Sequence, residues 1–492
     1  MRHSGTLMHT SFNPPDCRTF KVFFPKTALK GGYILSPVKI PQLMATGQFL
    51  DPRCETLPRD ELDAIVDERI RYTVEYARTH SPFYRQWFRE HKIRPGEIQC
   101  HDDLRKLPII SGRTIRENQP PQKDDFLFRS VDWEDIFTVH ETSGTSGTPK
   151  SFFLTWEDWE RYAAKYARIF VSQGFGKGDR VVICASYGMN VGANTMTLAA
   201  SHIGMTIIPT GKCTFPRRIF DSYRPTGIVG SVFKLLRLAR QLKEEGKDPR
   251  NTSLKRLIVG GESFAEESRQ YLAEIWDREV FNIYGSTEGT MCGECSERSG
   301  LHVPEDLVHL DVYDPSMGGF VPDGECGRAV LTTLLPVRGR CGTLLINYDT
   351  EDTTVVISRD TCACGRTHMK IYTPQREAET VWILGTPVNR VDIERGVFQR
   401  ENMEYLTGEY EAFVESDDDG GVTLRVSMET FNPEGIPRED IGEHFIASFL
   451  RFKPGLARAF SQDFRIHFTF TPPGGLELSK IKGRPKRLLD HR

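Results

Sequence analysis

The chain has 492 residues, which is too long for one ordinary hydrophobic core and predicts two or more domains. Its hydrophobic share of 38%, charged share of 27% and formal net charge of −3 are typical of a soluble globular protein, and they give no support for a nucleic-acid or membrane-surface partner. No apolar run approaches the roughly 20 residues that cross a bilayer, and the N-terminus lacks an apolar signal core, so we expect a cytoplasmic protein.

Residues 1–54 form an N-terminal extension without sustained periodicity. The extension contains Gly31-Gly32, several prolines and scattered basic residues. Three alternatives stay open for it: a partly ordered arm, a contact within a homodimer, and a disordered tail.

The first helical region is predicted at residues 58–92. Its apolar residues recur at steps of three and four, as one buried helix face requires: Leu62, Ile65, Val66, Ile70 and Val74. We expect a structural role for this region.

Residues 142–150 read T-S-G-T-S-G-T-P-K and contain no apolar side chain. Glycines let backbone N–H groups turn around an anion, and hydroxyls and a lysine add donors, so we predict a phosphate-binding loop. A flexible Gly/Ser loop is the alternative, and the spacing is not that of a P-loop NTPase because Lys150 does not directly follow a glycine. We expect Lys150 to be catalytic and these residues to bind the nucleotide: Thr142, Ser143, Gly144, Thr145, Ser146, Gly147 and Thr148.

Predicted strands and helices alternate beyond this loop. Thr155 and Asp158 make a capping box for a helix at Trp156–Ser172. Further strands are predicted at 181–185, 206–209, 227–229 and 257–259, with helices at 193–203, 217–223 and 234–245. This alternation predicts an α/β fold with parallel or mixed sheets flanked by helices, whose ligands lie at the carboxyl ends of strands.

Two strand ends supply the next candidate site residues. Gly260-Gly261-Glu262 follows the strand at 257–259, and the second motif follows a strand at 280–283: Tyr284, Gly285, Ser286, Thr287 and Glu288. A tyrosine offers a face to a purine, and a carboxylate near triphosphate oxygens can hold a hard cation. A surface turn with a capping glutamate is the alternative.

Cysteines form a candidate metal site. Cys292 and Cys295 are spaced C-x-x-C before His302, and Cys362 and Cys364 form C-x-C. Thiolates and an imidazole in short segments suit tetrahedral Zn²⁺. The alternative is unpaired or disulfide-bonded cysteines, although a disulfide is not expected in a reducing compartment.

The pattern of predicted secondary structure changes after Ile371. A hairpin at 410–428, a helix at 441–452 and a strand at 464–470 predict a small α+β domain. We therefore divide the chain into the extension at 1–54, a large ATP- and acid-binding adenylation domain at 55–374, and a small mobile C-terminal lid domain at 375–492.

These motifs together resemble the adenylate-forming enzymes, the acyl-CoA ligase superfamily, and most of all the phenylacetate-CoA ligase family. Residues 143–150 are similar to the family's signature loop, and the resemblance runs from about residue 55 to the end. It implies that Gly261 and Glu262 line the adenine pocket and that Tyr284 stacks on adenine. It also implies that Thr287 contacts phosphate and that Glu288 helps to hold Mg²⁺.

Residues 348–352, Y-D-T-E-D, are similar to the family's Tyr-Arg-Thr-Gly-Asp. The resemblance puts Asp352 in the ribose-binding role and Arg376 at the arginine of the interdomain hinge. Asp349 and Glu351 depart from the pattern, so the local backbone is expected to differ where Glu351 replaces glycine. Among the cysteines and histidines, the family pattern selects the zinc ligands Cys295, His302, Cys362 and Cys364 and leaves Cys292 as a spare; with four protein ligands the metal would be structural.

The family's catalytic lysine lies in a C-terminal motif, Ser-x-Gly-Lys-x-Lys-Arg, and this chain is two residues longer there. Counting forward from Ser479 gives Lys482, counting back from residues 486–487 gives Arg484, and Lys480 also stays open. We favour Lys482 as the catalytic residue because a flexible ammonium can follow a moving charge. A solvated basic tail is the alternative.

The resemblance implies ATP-dependent activation of a small carboxylic acid, typically aromatic, as acyl-AMP. The acyl group would then pass to CoA, giving a thioester, AMP and pyrophosphate, with Mg²⁺ at the phosphates. Two other hypotheses stay open: an adenylating enzyme with an amine, hydroxyl or carrier-protein acceptor, and a degenerate nucleotide-binding homologue.

Overall fold

The computed structural model describes residues 48–142, 147–417, 420–477 and 487–492. Ser143, Gly144, Thr145 and Ser146 of the predicted phosphate loop lie outside the described residues, as do most of the N-terminal extension and the three C-terminal candidates: Lys480, Lys482 and Arg484. Among the helices that are described, none is long and apolar enough to span a membrane.

The described chain begins with short and long helices: α1 (Pro52–Glu55), α2 (Arg59–His80), α3 (Pro82–Glu90), α4 (His101–Leu104) and α5 (Gly112–Glu117). The helical region predicted at 58–92 is divided at Ser81. The Ser81 hydroxyl accepts a hydrogen bond from the Tyr84 backbone N–H, and Pro82 occupies the first turn of α3. The helical pattern was therefore predicted correctly, but as one element instead of two.

A hairpin carries the predicted phosphate loop. Strands β1 (Thr138–Glu141) and β2 (Ser151–Leu154) pair antiparallel, and residues 142–150 connect them. Helix α6 (Trp156–Ser172) follows directly, and Thr155 and Asp158 make the predicted capping box. The residues that directly follow the loop therefore belong to regular secondary structure, first β2 and then α6.

Parallel strands form one half of the large sheet, in the order β4-β3-β5-β6-β7. The strands are β3 (Arg180–Ile183), β4 (Thr206–Pro209), β5 (Gly227–Gly230), β6 (Arg256–Gly260) and β7 (Glu279–Gly285). The helices between them are α7 (Val191–His202), α8 (Pro216–Tyr223), α9 (Val232–Glu244) and α10 (Glu266–Trp276). The predicted alternation is confirmed here, and the sequence analysis missed only α10 among these helices.

The other half of the large sheet is antiparallel and reverses the chain direction after β7. Its strands are β8 (Met291–Gly293), β9 (Leu301–His302), β10 (Val308–Asp314), β11 (Gly319–Phe320), β12 (Cys326–Thr333), β13 (Tyr348–Ser358), β14 (Lys370–Ile371) and β15 (Gln375–Arg376). The sheet is therefore mixed, and the metal-ligand candidates lie where its two halves meet.

A smaller α+β unit follows. It contains β16 (Thr380–Ile383), β17 (Thr386–Asn389), α11 (Arg390–Val397), β18 (Leu406–Ser416), β19 (Val422–Thr430), α12 (Arg438–Arg451), α13 (Pro454–Ala459), β20 (Phe464–Thr471) and β21 (Leu489–Asp490). Four of its strands form a sheet in the order β20-β19-β18-β21. The predicted fold class, a large mixed sheet with helices plus a small C-terminal α+β unit, is confirmed. The exact domain boundaries stay a prediction.

The small unit packs on α9 and α10 through one continuous hydrophobic core. The ring of Phe233 on α9 lies 6.0 Å from Phe398 and 6.3 Å from Tyr410 between ring centroids. The Arg487 guanidinium lies 3.8 Å from the Phe233 ring centroid and donates to Glu409 at 2.6 Å. The C-terminal residues are therefore anchored at the contact between the two units.

Candidate active site

The two ends of the 142–150 loop are tied together by hydrogen bonds. The Thr142 backbone N–H donates to the Lys150 carbonyl at 3.0 Å, and the Lys150 N–H donates to Thr142 Oγ1 at 3.1 Å. Gln119 supports the same end, because its side-chain amide donates to the Pro149 carbonyl at 2.7 Å. Thr142, Pro149 and Lys150 are therefore held in place by backbone and side-chain hydrogen bonds. Gln119 is a residue that the sequence analysis did not single out.

Lys150 and Glu288 form a buried ion pair. Lys150 Nζ lies 2.9 Å from Glu288 Oε1 and also donates to the Tyr348 hydroxyl. Burial disfavours the charge on Glu288, but the Lys150 ammonium outweighs it and holds the pKa of Glu288 below its ordinary value. The structure thus brings together two predicted site residues that are 138 positions apart in the sequence.

Glu351 replaces a family glycine, yet its backbone has φ +61°, in the left-handed region that favours glycine. Glu351 therefore adopts a conformation typical of glycine although it carries a side chain. The expected difference from the family's backbone stays a prediction. A Cβ on Gly112 would lie 3.1 Å from Glu351 Oε1, 3.3 Å from Lys150 Nζ and 3.4 Å from the Tyr348 hydroxyl. Gly112 thus leaves open the space beside Lys150, which places Glu351 and Gly112 at the candidate phosphate site.

The predicted purine and ribose contacts are adjacent. The Tyr284 hydroxyl donates to Asp352 Oδ2 at 2.5 Å, and Arg376 Nε lies 3.8 Å from Asp352 Oδ1. Asp352 and Arg376 are also direct partners in the pairing of β13 with β15. Burial raises the pKa of Asp352 above its ordinary value, although Arg376 and the Tyr284 hydroxyl oppose the shift. A carboxylate is therefore placed beside an aromatic side chain at the end of β7.

The remaining motif residues lie in two loops. Gly261 has φ +81°, and the Glu262 carboxylate accepts a hydrogen bond at 2.8 Å from the buried Arg390 of the small unit. In the second loop, the Ser286 N–H donates to the Thr290 carbonyl at 2.8 Å, which closes a turn around Thr287 and Glu288. Glu262 therefore connects the large unit to the small unit through Arg390. Its contact with adenine stays a prediction.

The metal-ligand candidates converge as the family pattern predicts. The donor atoms of Cys295, His302, Cys362 and Cys364 all lie within 4.8 Å of one another, and all four residues are buried. The Cys295 and Cys362 sulfurs are 3.9 Å apart, close to the about 3.8 Å expected between thiolates in a tetrahedron with Zn–S bonds near 2.3 Å. The donor set and its size therefore fit Zn²⁺.

The histidine of this cluster is oriented for metal binding. His302 Nδ1 lies 3.0 Å from the His368 backbone oxygen, which only accepts, so Nδ1 carries the hydrogen and leaves the Nε2 lone pair free. Nε2 lies 3.6 Å from the Cys364 sulfur. Cys292, in contrast, lies in a separate hydrophobic core, where burial raises the pKa of its thiol to about 12. Its placement agrees with the prediction that it is a spare.

Comparison with known proteins places these residues in a family. The sequence model described as "AMP-binding enzyme" matches residues 63–334, more than half of the chain. The phenylacetate-coenzyme A ligase of Thermus thermophilus is 30% identical over 326 residues, covering 65% of this chain and 71% of that protein. The chain belongs to the AMP-binding enzymes. The phenylacetate-coenzyme A ligase of Aromatoleum evansii is 28% identical over 475 residues, covering 93% of this chain and 99% of that protein.

Solved structures support the fold of this AMP-binding enzyme. A 2-hydroxyisobutyryl-CoA ligase in its postadenylation state, in complex with 2-HIB-AMP, aligns with a TM-score of 0.78 at 22% identity, covering 91% of this chain and 93% of that one. The same ligase in its thioesterification state aligns with a TM-score of 0.63 over 90% and 92%. The expectation of an AMP-forming acid–thiol ligase resembling phenylacetate-CoA ligases is therefore confirmed at the level of the family.

The AMP-binding enzyme thus brings together most of the described candidates. Lys150, Glu288, Tyr284, Asp352 and Arg376 are linked by direct contacts or through neighbouring residues in the second motif. Sequence reasoning did not single out four residues that contact these candidates or their loops: Gly112, Gln119, Tyr348, and Lys165, whose Nζ donates to the Gly289 carbonyl at 2.6 Å. For Tyr348 the signal was its place in the Y-D-T-E-D motif, whereas nothing local to the other three indicated proximity to this site.

Proposed function

We propose that the protein activates a carboxylic acid, most suitably an aromatic one, by adenylation with ATP and then transfers the acyl group to CoA. The observation that carries the proposal is the buried Lys150–Glu288 pair beside the Tyr284–Asp352 pair. One pair suits phosphates and a cation, and the other suits a nucleoside. Similarity to two proteins named phenylacetate-coenzyme A ligase supports an aromatic acid as the substrate and CoA as the acceptor.

In the first half-reaction, a carboxylate oxygen of the acid attacks the α-phosphorus of ATP and pyrophosphate leaves. Neither reactant needs a covalent bond to the protein, so catalysis consists of positioning and charge neutralisation. Lys150 neutralises phosphate charge, Asp352 accepts hydrogen bonds from the ribose hydroxyls, and the Tyr284 ring packs on the adenine. Glu288 would hold Mg²⁺, which supplies further neutralisation of the phosphates when bound.

In the second half-reaction, the sulfur of CoA attacks the acyl carbonyl and AMP leaves. The small unit would reorient about the segment at Arg376 between the two steps. Glu262 and Arg390 form a buried contact between the two units, which such a motion would have to exchange. Lys150 and the loop of residues 285–290 belong to the large unit and would keep their phosphate contacts in both steps.

The Cys295–His302–Cys362–Cys364 cluster supports a structural zinc site. The cluster joins β9 to the loop before β14, and β9 neighbours β8, which pairs with the Tyr284-bearing β7. Four protein ligands fill the tetrahedron and leave no position for a reactant. The metal would therefore hold the sheet that carries the nucleotide site and would not contact substrate.

Lys482 is the proposed lysine of the adenylation step. Leu476 and Arg487, which lie near the two ends of its segment, are both buried, whereas Glu477 is exposed. We expect Lys482→Ala to reduce acid-dependent exchange of pyrophosphate into ATP to near background, because the ammonium neutralises charge developing at the reacting phosphate. Thioester formation from supplied acyl-AMP should survive, since this lysine serves only the first orientation of the small unit.

Lys480→Ala and Arg484→Ala are the matched controls for this register. Both should exchange pyrophosphate like the wild type. Normal exchange in Lys482→Ala with loss in either control would show that the register is wrong, and full activity in all three variants would show that this basic segment is not catalytic.

A further inference from the structure

The loop that carries Thr287 and Glu288 lies directly on helix α6. The Tyr162 hydroxyl donates to the Thr287 carbonyl at 3.3 Å, and Lys165 Nζ donates to the Gly289 carbonyl at 2.6 Å. The two accepting carbonyls belong to the residues immediately before and after Glu288. One helix therefore holds the backbone on both sides of the proposed magnesium ligand.

Two glycines of this loop allow the close contact with α6. A Cβ on Gly289 would lie 2.6 Å from the Tyr162 hydroxyl, and a Cβ on Gly285 would lie 2.5 Å from the Tyr166 hydroxyl. Gly289 also has φ +101°, which a side chain would strain. The helix and the loop are thus in direct contact at both glycines, where no side chain separates them.

Lys165 stands out among the α6 contacts because its ammonium is buried and forms no ion pair with a carboxylate in the part of the chain that the structure describes. The residue is 5% exposed, and among the ion pairs of the described residues none includes Lys165. The charged or titratable groups that act on its pKa are Arg161 and Arg168 on its own helix, and Cys292 and Asp306 from neighbouring segments. The ammonium also lies 5.3 Å from the centroid of the Tyr162 ring. Burial lowers the pKa of Lys165 to about 8. An ammonium without a carboxylate partner is costly to bury, and such costs concentrate at functional sites.

We propose that Lys165 is a positioning residue for the phosphate and magnesium site, acting through its hydrogen bond to the Gly289 carbonyl. The bond fixes the turn after Glu288 and so fixes where the Glu288 carboxylate meets Lys150. Lys165 contacts no reactant in this arrangement. The inference rests on the proposed function, in which Glu288 holds the Mg²⁺ that accompanies ATP.

Lys165→Met tests the proposal, because methionine fills a similar volume without a donor. We expect the KM for Mg·ATP to rise by about tenfold, the scale of a lost charge-assisted hydrogen bond, while the KM for the acid stays unchanged. Thermal stability should change little, because the loss of the hydrogen bond to Gly289 and the removal of a buried ammonium have opposite effects on the free energy of unfolding. Lys165→Arg should recover part of the Mg·ATP affinity because it keeps a cationic donor. Lys177→Met, at an exposed lysine, is the matched control.

A folded Lys165→Met enzyme with wild-type kinetics toward Mg·ATP would overturn the proposal, and so would an equal rise in the KM values for ATP and acid. If the methionine variant does not fold, Lys165→Leu decides the matter, because leucine also lacks a donor: wild-type Mg·ATP affinity in the folded leucine variant contradicts the role. Calorimetric titration with Mg·ATP separates this proposal from the proposed function, because it needs no turnover. A wild-type protein that binds Mg·ATP but activates no acid would contradict the function alone, whereas equal binding by wild type and variants would contradict the role of Lys165.

Discussion

Replacing Lys150 by alanine is expected to lower kcat/KM for ATP-dependent acid activation by about 100- to 1,000-fold, or roughly 2.7–4 kcal/mol, as for the loss of a donor aimed at developing charge. The variant removes the cation that lies 2.9 Å from Glu288 Oε1 and leaves that carboxylate buried without its ammonium. Initial rates of pyrophosphate release at varied ATP would measure the loss. Lys123→Ala, at an exposed lysine outside the site, is the matched control.

A double-mutant cycle extends this test to the pair. Glu288→Gln should also impair activity, most strongly at low Mg²⁺. The losses in Lys150→Ala and Glu288→Gln should not add in the double variant, because the two side chains act on the same phosphates. Wild-type turnover in both single variants would rule out the assignment of this pair to the phosphate site.

The Cys362→Ser/Cys364→Ser variant is expected to lose bound zinc and much of the protein's thermal stability. Structural Zn²⁺ sites contribute about 10–16 kcal/mol of apparent binding free energy in small zinc domains, far above the about 1 kcal/mol cost of a typical substitution. Elemental analysis of protein purified without added metal should find one zinc per wild-type chain and none in the variant. Thermal unfolding with and without a chelator would measure the stability.

Cys326→Ser provides the control for this experiment, because Cys326 is exposed and lies outside the cluster. It should keep both its zinc and its unfolding temperature. A double-serine variant with full thermal stability, or a wild-type protein that is metal-free and insensitive to chelator, would contradict the structural zinc.

The sequence predicted the elements whose signals are local. Helix α6 was placed at its observed bounds because Thr155 and Asp158 cap it and its apolar residues follow a helical period. Helix α10 was missed because Ala265 at its start offers no side-chain cap; instead, the Ala265 N–H donates to the Glu394 carboxylate of the small unit. Strands of two or three residues, such as β9 and β14, are too short for a periodicity to appear.

In the candidate site too, residues in local motifs were predicted, whereas residues that reach the site only through long-range contacts were not. The resemblance singled out Lys150, Glu288 and Tyr284 through motifs, and its metal-ligand pattern selected the four clustered residues without Cys292. It gave no indication of Lys165, because the hydrogen bond to Gly289 joins residues 124 positions apart and a lysine in an amphipathic helix has no distinguishing local pattern. At Glu351 nothing in the sequence indicated that the residue adopts a left-handed φ or that its carboxylate lies beside Gly112 and Lys150.

The coupling of AMP release to CoA tests the central claim most directly. Purified protein would be incubated with ATP, Mg²⁺ and each member of a panel of aryl and alkyl carboxylic acids, with and without CoA, while pyrophosphate, AMP and thioester are measured. The account predicts acid-dependent pyrophosphate release, with an aromatic acid preferred, and AMP release that requires CoA and equals the thioester formed. Acid-dependent pyrophosphate release without any CoA-dependent AMP or thioester would contradict the acceptor, and no acid-dependent release across the panel from protein that binds ATP would contradict acid activation itself.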